Sequence, residues 1–84
     1  MQYQEEFSDA ELARIIEEGL MYMCACPAQV AQGLRQLREL YRYQNQCMQD
    51  PANVSVVHQT ICHSTILAHA QLQDCLNRVL ELEQ

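Results

Sequence analysis

The sequence predicts an all-α protein, and three observations carry that expectation. The chain of 84 residues contains only two Gly and two Pro, too few for the turns of a sheet-rich fold. Apolar residues recur every three to four positions along three stretches, the spacing of helices with one buried face. The breaks between these stretches fall at Cys26-Pro27 and at Asp50-Pro51-Ala52-Asn53, where helices are expected to stop. The expected architecture is one domain over residues 1–84, with a short first helix followed by an antiparallel hairpin of the second and third. A core this small supplies only ~3–5 kcal/mol, so the bundle is expected to be completed by dimerisation of the chain with itself.

Ser8-Asp9-Ala10-Glu11 has the form of a capping box, with Ser8 placed to cap the first helix and Glu11 to reach back. That helix is expected over residues 9 to about 25. Leu12, Ile15, Ile16, Gly19, Met23 and Cys26 fall on one stripe, leaving Glu11, Arg14, Glu17 and Glu18 on the wet side. Gly19, on the buried stripe, would let another helix approach closely. Pro27 is expected to end or kink this helix and suits the first position of the next, with Cys26 as its N-cap.

The second helix is expected over residues 27 to about 48. Val30, Leu34, Leu37, Tyr41 and Met48 share its buried face, and Arg35, Arg38 and Arg42 gather on the other. Such an Arg row can bind phosphate or an acidic partner; the plainer reading is a solvated side that meets the acids of the first helix. The third helix, over residues 54 to about 83, starts at Val54 or Ser55. Val54, Val57, Ile61, Ala68, Leu72, Cys75, Val79 and Leu82 form its stripe, with Thr65 inside it. It is longer than the second, so one end projects unless a second subunit covers it, and Val56 and Leu67, off the stripe, are candidates for that contact.

Composition narrows the function classes. A net charge of −6 with no Lys removes the usual electrostatic basis for holding nucleic acid or an anionic membrane. No apolar run approaches a membrane span, and the acidic start Met1-Gln2-Tyr3-Gln4-Glu5-Glu6 is unlike a signal peptide, so a cytoplasmic protein is expected. Five Cys, an odd number, point to reduced thiols, metal binding or redox chemistry rather than a disulfide framework, with plain packing as the simpler alternative.

Two constellations stand out. If the helices run up, down and up, the step from Cys26 to Cys47 equals that from Val54 to Cys75. An antiparallel hairpin then brings Cys24, Cys26 and Cys75 to one end of the bundle. A thiol at a helix N-terminus has its thiolate stabilised, which makes Cys26 the candidate reactive sulfur. Cys24 or Cys75 can resolve it as a disulfide, or the three can hold zinc or copper with Met21 or Met23 nearby. The second constellation is His58, Cys62 and His69, kept in a narrow arc of the third helix by steps of four and seven. His-x-x-x-Cys can chelate a metal, and helical copper- and nickel-sensing repressors use a similar pairing completed by a second subunit's Cys. The chain lacks their basic surface. His63 points away from this arc.

Enzyme patterns are missing. No His has a Glu three residues earlier, as a di-iron bundle requires, and there is no phosphate-binding Gly-rich loop, nucleophile elbow, Cys-x-x-Cys or calcium loop. No catalytic residue is nominated. Tyr-Met-Cys-Ala-Cys-Pro-Ala-Gln-Val over residues 22–30, the Gln-Leu-Arg-Glu-Leu-Tyr run of helix 2 and the Ala-His-Ala-Gln-Leu-Gln-Asp-Cys-Leu segment ending at Leu76 resemble a small family of uncharacterised bacterial proteins. The resemblance implies a bacterial cytosolic setting and transfers no activity. The expected function is therefore a non-enzymatic assembly or regulatory role with a metal-binding or redox-sensing Cys-x-Cys-Pro corner. The alternatives are a metal sensor using His58 and Cys62, and a thiol oxidoreductase using Cys24 and Cys26.

Overall fold

The computed structural model describes residues 2–19, 24–53 and 55–83. It contains α1 (Asp9–Gly19), α2 (Cys26–Met48) and α3 (Val56–Glu83), with a turn of 3-10 helix at Pro51–Asn53 between α2 and α3. The fold is all-α, and α2 and α3 pack closely as a hairpin. Met21, Met23 and Val54, which carry parts of the sequence expectation, lie outside the described residues.

The helix starts and the turn after α2 have local causes. The capping box at α1 forms reciprocally: the Glu11 N–H donates to Ser8 Oγ at 3.0 Å, and the Ser8 N–H donates to Glu11 Oε1 at 2.9 Å. Among the described residues α1 spans Asp9–Gly19, and Cys24 and Ala25 are not helical, so the expected run does not reach residue 25. α2 starts one residue earlier than expected, with Ala25 rather than Cys26 as N-cap; Pro27 sits in its first turn, where its missing N–H costs no hydrogen bond. Asp50 accepts from the Ala52 N–H and shapes the 3-10 turn. Ser55 caps α3, its Oγ accepting from the His58 N–H.

The three helices meet at Leu12 of α1, Ala31 and Leu34 of α2 and Leu76 of α3, with Phe7, Ile15, Ile16 and Leu80 packed around them. Burying each large apolar side chain contributes about 1.5–3 kcal/mol, which holds the helices together but specifies little about their rotation. Rotation is where the structure departs from expectation. The buried line of α3 is Cys62, Thr65, His69, Gln73 and Leu76, whereas Val57 and Leu82 of the expected stripe are 65% and 82% exposed. On α2, Arg38 is 1% exposed and Leu37 only half-buried. Polar residues occupy the central positions because the segment before α1 docks there and needs polar partners.

Register also differs. Gly33 lies against Leu72, Arg38 against His69 and Gln44 against His58. These pairs put Val30, rather than Cys26, level with Cys75, about one helical turn away from the corner. The cause is the turn, which is centred on Ala52 and not midway between Cys47 and Val54.

Gly19 is required where α1 crosses α2: a Cβ there would sit 2.5 Å from the Ala28 Cβ, on a helix that cannot yield locally. Gly19→Ala is therefore expected to destabilise the protein by about 1–2 kcal/mol despite its better helix propensity. A denaturation midpoint equal to or above that of the parent would contradict this. Gly33→Ala, facing only the movable Leu72 Cδ2 at 3.0 Å, is expected to cost less.

Candidate functional site

The most organised polar cluster surrounds Arg38, in the middle of α2. Its Nε donates to His69 Nε2 at 3.0 Å, Nη1 to Asp9 Oδ1 at 2.9 Å, and Nη2 to the Phe7 carbonyl at 2.7 Å. A longer contact, 3.5 Å, runs from Nη2 to Gln73 Oε1. A guanidinium buried this completely is tolerable only because its donors meet acceptors, one of them charged. The expectation that Arg38 shares a solvated side with Arg35 and Arg42 is thus overturned. Arg42 does meet the acids near α1, reaching Asp9 at 3.0 Å and Glu5 at 2.8 Å.

Around this cation residues 3–7 form an arm laid across the hairpin. The Glu6 N–H donates to Gln73 Oε1 at 2.8 Å, and Gln73 Nε2 donates to the Gln4 carbonyl at 3.0 Å, so one buried amide pairs with the arm like a strand edge. Tyr3 stacks on Tyr41, with ring centroids 3.7 Å apart and planes at 10°, and tilts against His69. Its hydroxyl donates to Glu5. Asn77 adds a bond to Glu6.

The protonation states follow from this geometry. His69 accepts from Arg38 at Nε2, so its proton belongs on Nδ1. Burial, and then the Arg38 charge, hold its pKa below the ordinary value of 6.5. Asp9 is held low by the Arg38 hydrogen bond and by Arg42. Burial opposes ionisation of Glu5, but the Tyr3 hydroxyl, Arg38 and Arg42 more than offset it and its pKa is lowered. Tyr3 is pushed up by burial and by the Glu5 carboxylate. Two shallow depressions flank the arm. One, of about 200 Å³, lies between Asp9 and the Arg35, Arg38 and Arg42 row; the other, of about 150 Å³, lies between the arm and α3 beside His69. Both fall short of the ~300 Å³ at which small-molecule pockets begin.

The sequence-nominated residues are distributed differently. His58 Nδ1 is paired with Gln44 Oε1 at 2.7 Å, Cys62 is packed in the core at 9% exposure, and His69 is engaged by Arg38. A guanidinium on the imidazole nitrogen both occupies its lone pair and repels a cation, so this arc is a packed interface. Cys24 and Cys26 are both exposed and interact electrostatically with each other, while Cys75 is half-buried. Among the described residues, no group of three or more His, Cys, Asp or Glu is placed to hold a metal ion. The expected lowering of the Cys26 pKa gives way to the opposite direction. Its hydrogen bond and charge interaction with Cys24, together with the Glu83 carboxylate at the end of α3, push the thiol up.

The fold and site define a three-helix protein with an arm clamped by a buried arginine and an exposed dithiol at the hairpin's open end. No family model, curated protein or solved structure matches the chain. Among the described residues, no helix is long and apolar enough to cross a membrane.

Arg38→Ala is expected to cost about 3–5 kcal/mol, because it strands the buried His69 and the Phe7 carbonyl, while Arg42→Ala, at the surface, is expected to cost under about 1 kcal/mol. Equal effects in urea denaturation would contradict the clamp. The pH dependence has a definite sign. The folded pKa of His69 is depressed, so unfolding takes up a proton once the pH drops below 6.5, and stability falls from there downward. Glu5 and Asp9, also depressed, contribute above their ordinary values of 4.5 and 3.8, and that contribution is lost as the pH falls through their folded values. A His69→Gln variant should lack the upper step and keep the lower one; retention of both would place the upper step elsewhere.

Proposed function

We propose that the protein is a small non-enzymatic helical-bundle protein with an assembly or regulatory role, in which Cys24 and Cys26 act as a redox-sensing dithiol. The observation that supports this reading is the placement of two exposed free thiols, two residues apart and near enough to perturb one another, on the short segment that enters α2. In the response, each thiol gives up its hydrogen as a proton and an electron and a Cys24–Cys26 S–S bond forms. The two electrons reduce a peroxide to alcohol or water, or reduce a small-molecule disulfide to thiols.

A disulfide between residues 24 and 26 would constrain Ala25, the N-cap of α2, so oxidation would be felt at the start of that helix. Two sulfurs suffice for a disulfide, whereas a structural zinc site takes four ligands. Five free cysteines suit a reducing compartment, so the reading places the protein in the cytoplasm. The resemblance around Tyr22–Val30 makes the setting bacterial.

Peroxide treatment followed by alkylation and mass spectrometry tests the assignment. The expected product has lost two hydrogens, has Cys24 and Cys26 both protected from alkylation, and returns to the starting mass with dithiothreitol; Cys24→Ser abolishes it. Oxidation that consumes Cys47, Cys62 or Cys75 while Cys24 and Cys26 remain alkylatable would rule the dithiol out.

A further inference from the structure

The arm and α1 cover only one side of the α2–α3 hairpin. α1 packs on α2 beside Ala28, and the arm reaches Arg38, Tyr41, His69, Gln73 and Asn77, all on the same side of the pair. At 100° per residue, the opposite side of α2 carries Leu37 and Leu40, and that of α3 carries Ile61, Ala68, Cys75 and Val79. None of these six is fully buried, and Leu40 is 39% exposed. No Asp, Glu or Arg falls among them along the length of both helices. The apolar stripe that periodicity finds on α3 is thus real, but within one chain it lies at the edge of the core and not at its centre.

The whole chain exposes more surface than a compact monomer of its mass. A compact monomer of 9.7 kDa exposes about 5,100 Å². This chain exposes 5969 Å², an excess of about 850 Å². That matches the ~800 Å² each partner buries in a standard stable interface. The shape agrees: the radius of gyration is 14.6 Å, against about 12 Å for a compact domain of this length. The chemistry of the face selects the partner. It is uncharged on a chain of net charge −6, so it offers a charged partner no complementary ion pair, and an identical apolar face matches it without burying a charge.

We infer that this face docks against the same face of a second copy of the chain, the two hairpins forming a four-helix core with α1 and the arm of each copy on the outside. Val56 and Leu67, expected at the contact, lie instead on the outer flank of α3, 78% and 44% exposed. The inference stands independently of the dithiol reading, since its test is carried out under reducing conditions.

Sedimentation equilibrium of the full chain in dithiothreitol, from about 1 to about 100 μM, reads the association directly. The expected result is twice the 9.7 kDa chain mass across most of that range. Ala68→Glu and Leu40→Glu, both at exposed positions, each weaken association at least ~100-fold with helical circular dichroism retained, because each buries an unpaired carboxylate at the interface. Leu67→Glu, on the outer flank, leaves it unchanged. A wild-type chain that stays at the monomer mass up to about 100 μM overturns the inference. So does a dimer that tolerates both Ala68→Glu and Leu40→Glu.

Discussion

The arrangement of this protein depends on one buried cation. Arg38 sits at 1% exposure in the middle of α2, and its bonds bind three other parts of the chain: the arm at Phe7, the start of α1 at Asp9, and α3 at His69 and Gln73. The apolar core at Leu12, Ala31, Leu34 and Leu76 supplies attraction between the helices. Apolar contact alone would tolerate several rotations of α3. A guanidinium that must find its acceptors tolerates very few, because each unmet donor in the interior costs about 1–3 kcal/mol. The rotation of α3 that presents His69 and Gln73 inward is the one that satisfies it.

That choice has a consequence on the far side of the hairpin. Turning His69 and Gln73 inward turns Ile61, Ala68, Cys75 and Val79 toward the edge, where α1 and the arm cannot reach. The helices therefore have two faces of different character. One is polar, saturated and closed by the chain's own N-terminal segment; the other is apolar and covered by neither α1 nor the arm. The dithiol at Cys24 and Cys26 stands apart from both, at the hairpin's open end near Glu83.

Much of the fold was legible in the sequence, for reasons that are local. The capping box at Ser8, the Cys26-Pro27 break and the Asp50-Pro51 turn each act over a few residues, and the structure uses all three. The rotation and register of the helices were not legible. Periodicity put Val57 and Leu82 in the core and Arg38 in water, because an amphipathic pattern records how apolar a face is and not what polar side chains will find across from it. A signal was present in hindsight: Arg38, His69 and Gln73 are all polar residues next to apolar stripes, and Tyr3-Gln4-Glu5-Glu6-Phe7 has the mixed aromatic and acidic content to pair with them. Cys75 departs from its expected level on register, since a turn centred at Ala52, rather than midway between Cys47 and Val54, moves α3 by about three residues relative to α2.

Whether the arm is truly pinned by the interior is best read from amide hydrogen exchange at Glu6. Its N–H donates to the buried Gln73 Oε1, in a segment with no helix or sheet of its own to protect it. Protection of that single amide by at least ~100-fold over an unstructured peptide, lost when Arg38 is replaced, is the predicted result. Exchange of the Glu6 amide at the free-peptide rate in the intact protein would show that the arm is not held, and the account built on Arg38 would fall with it.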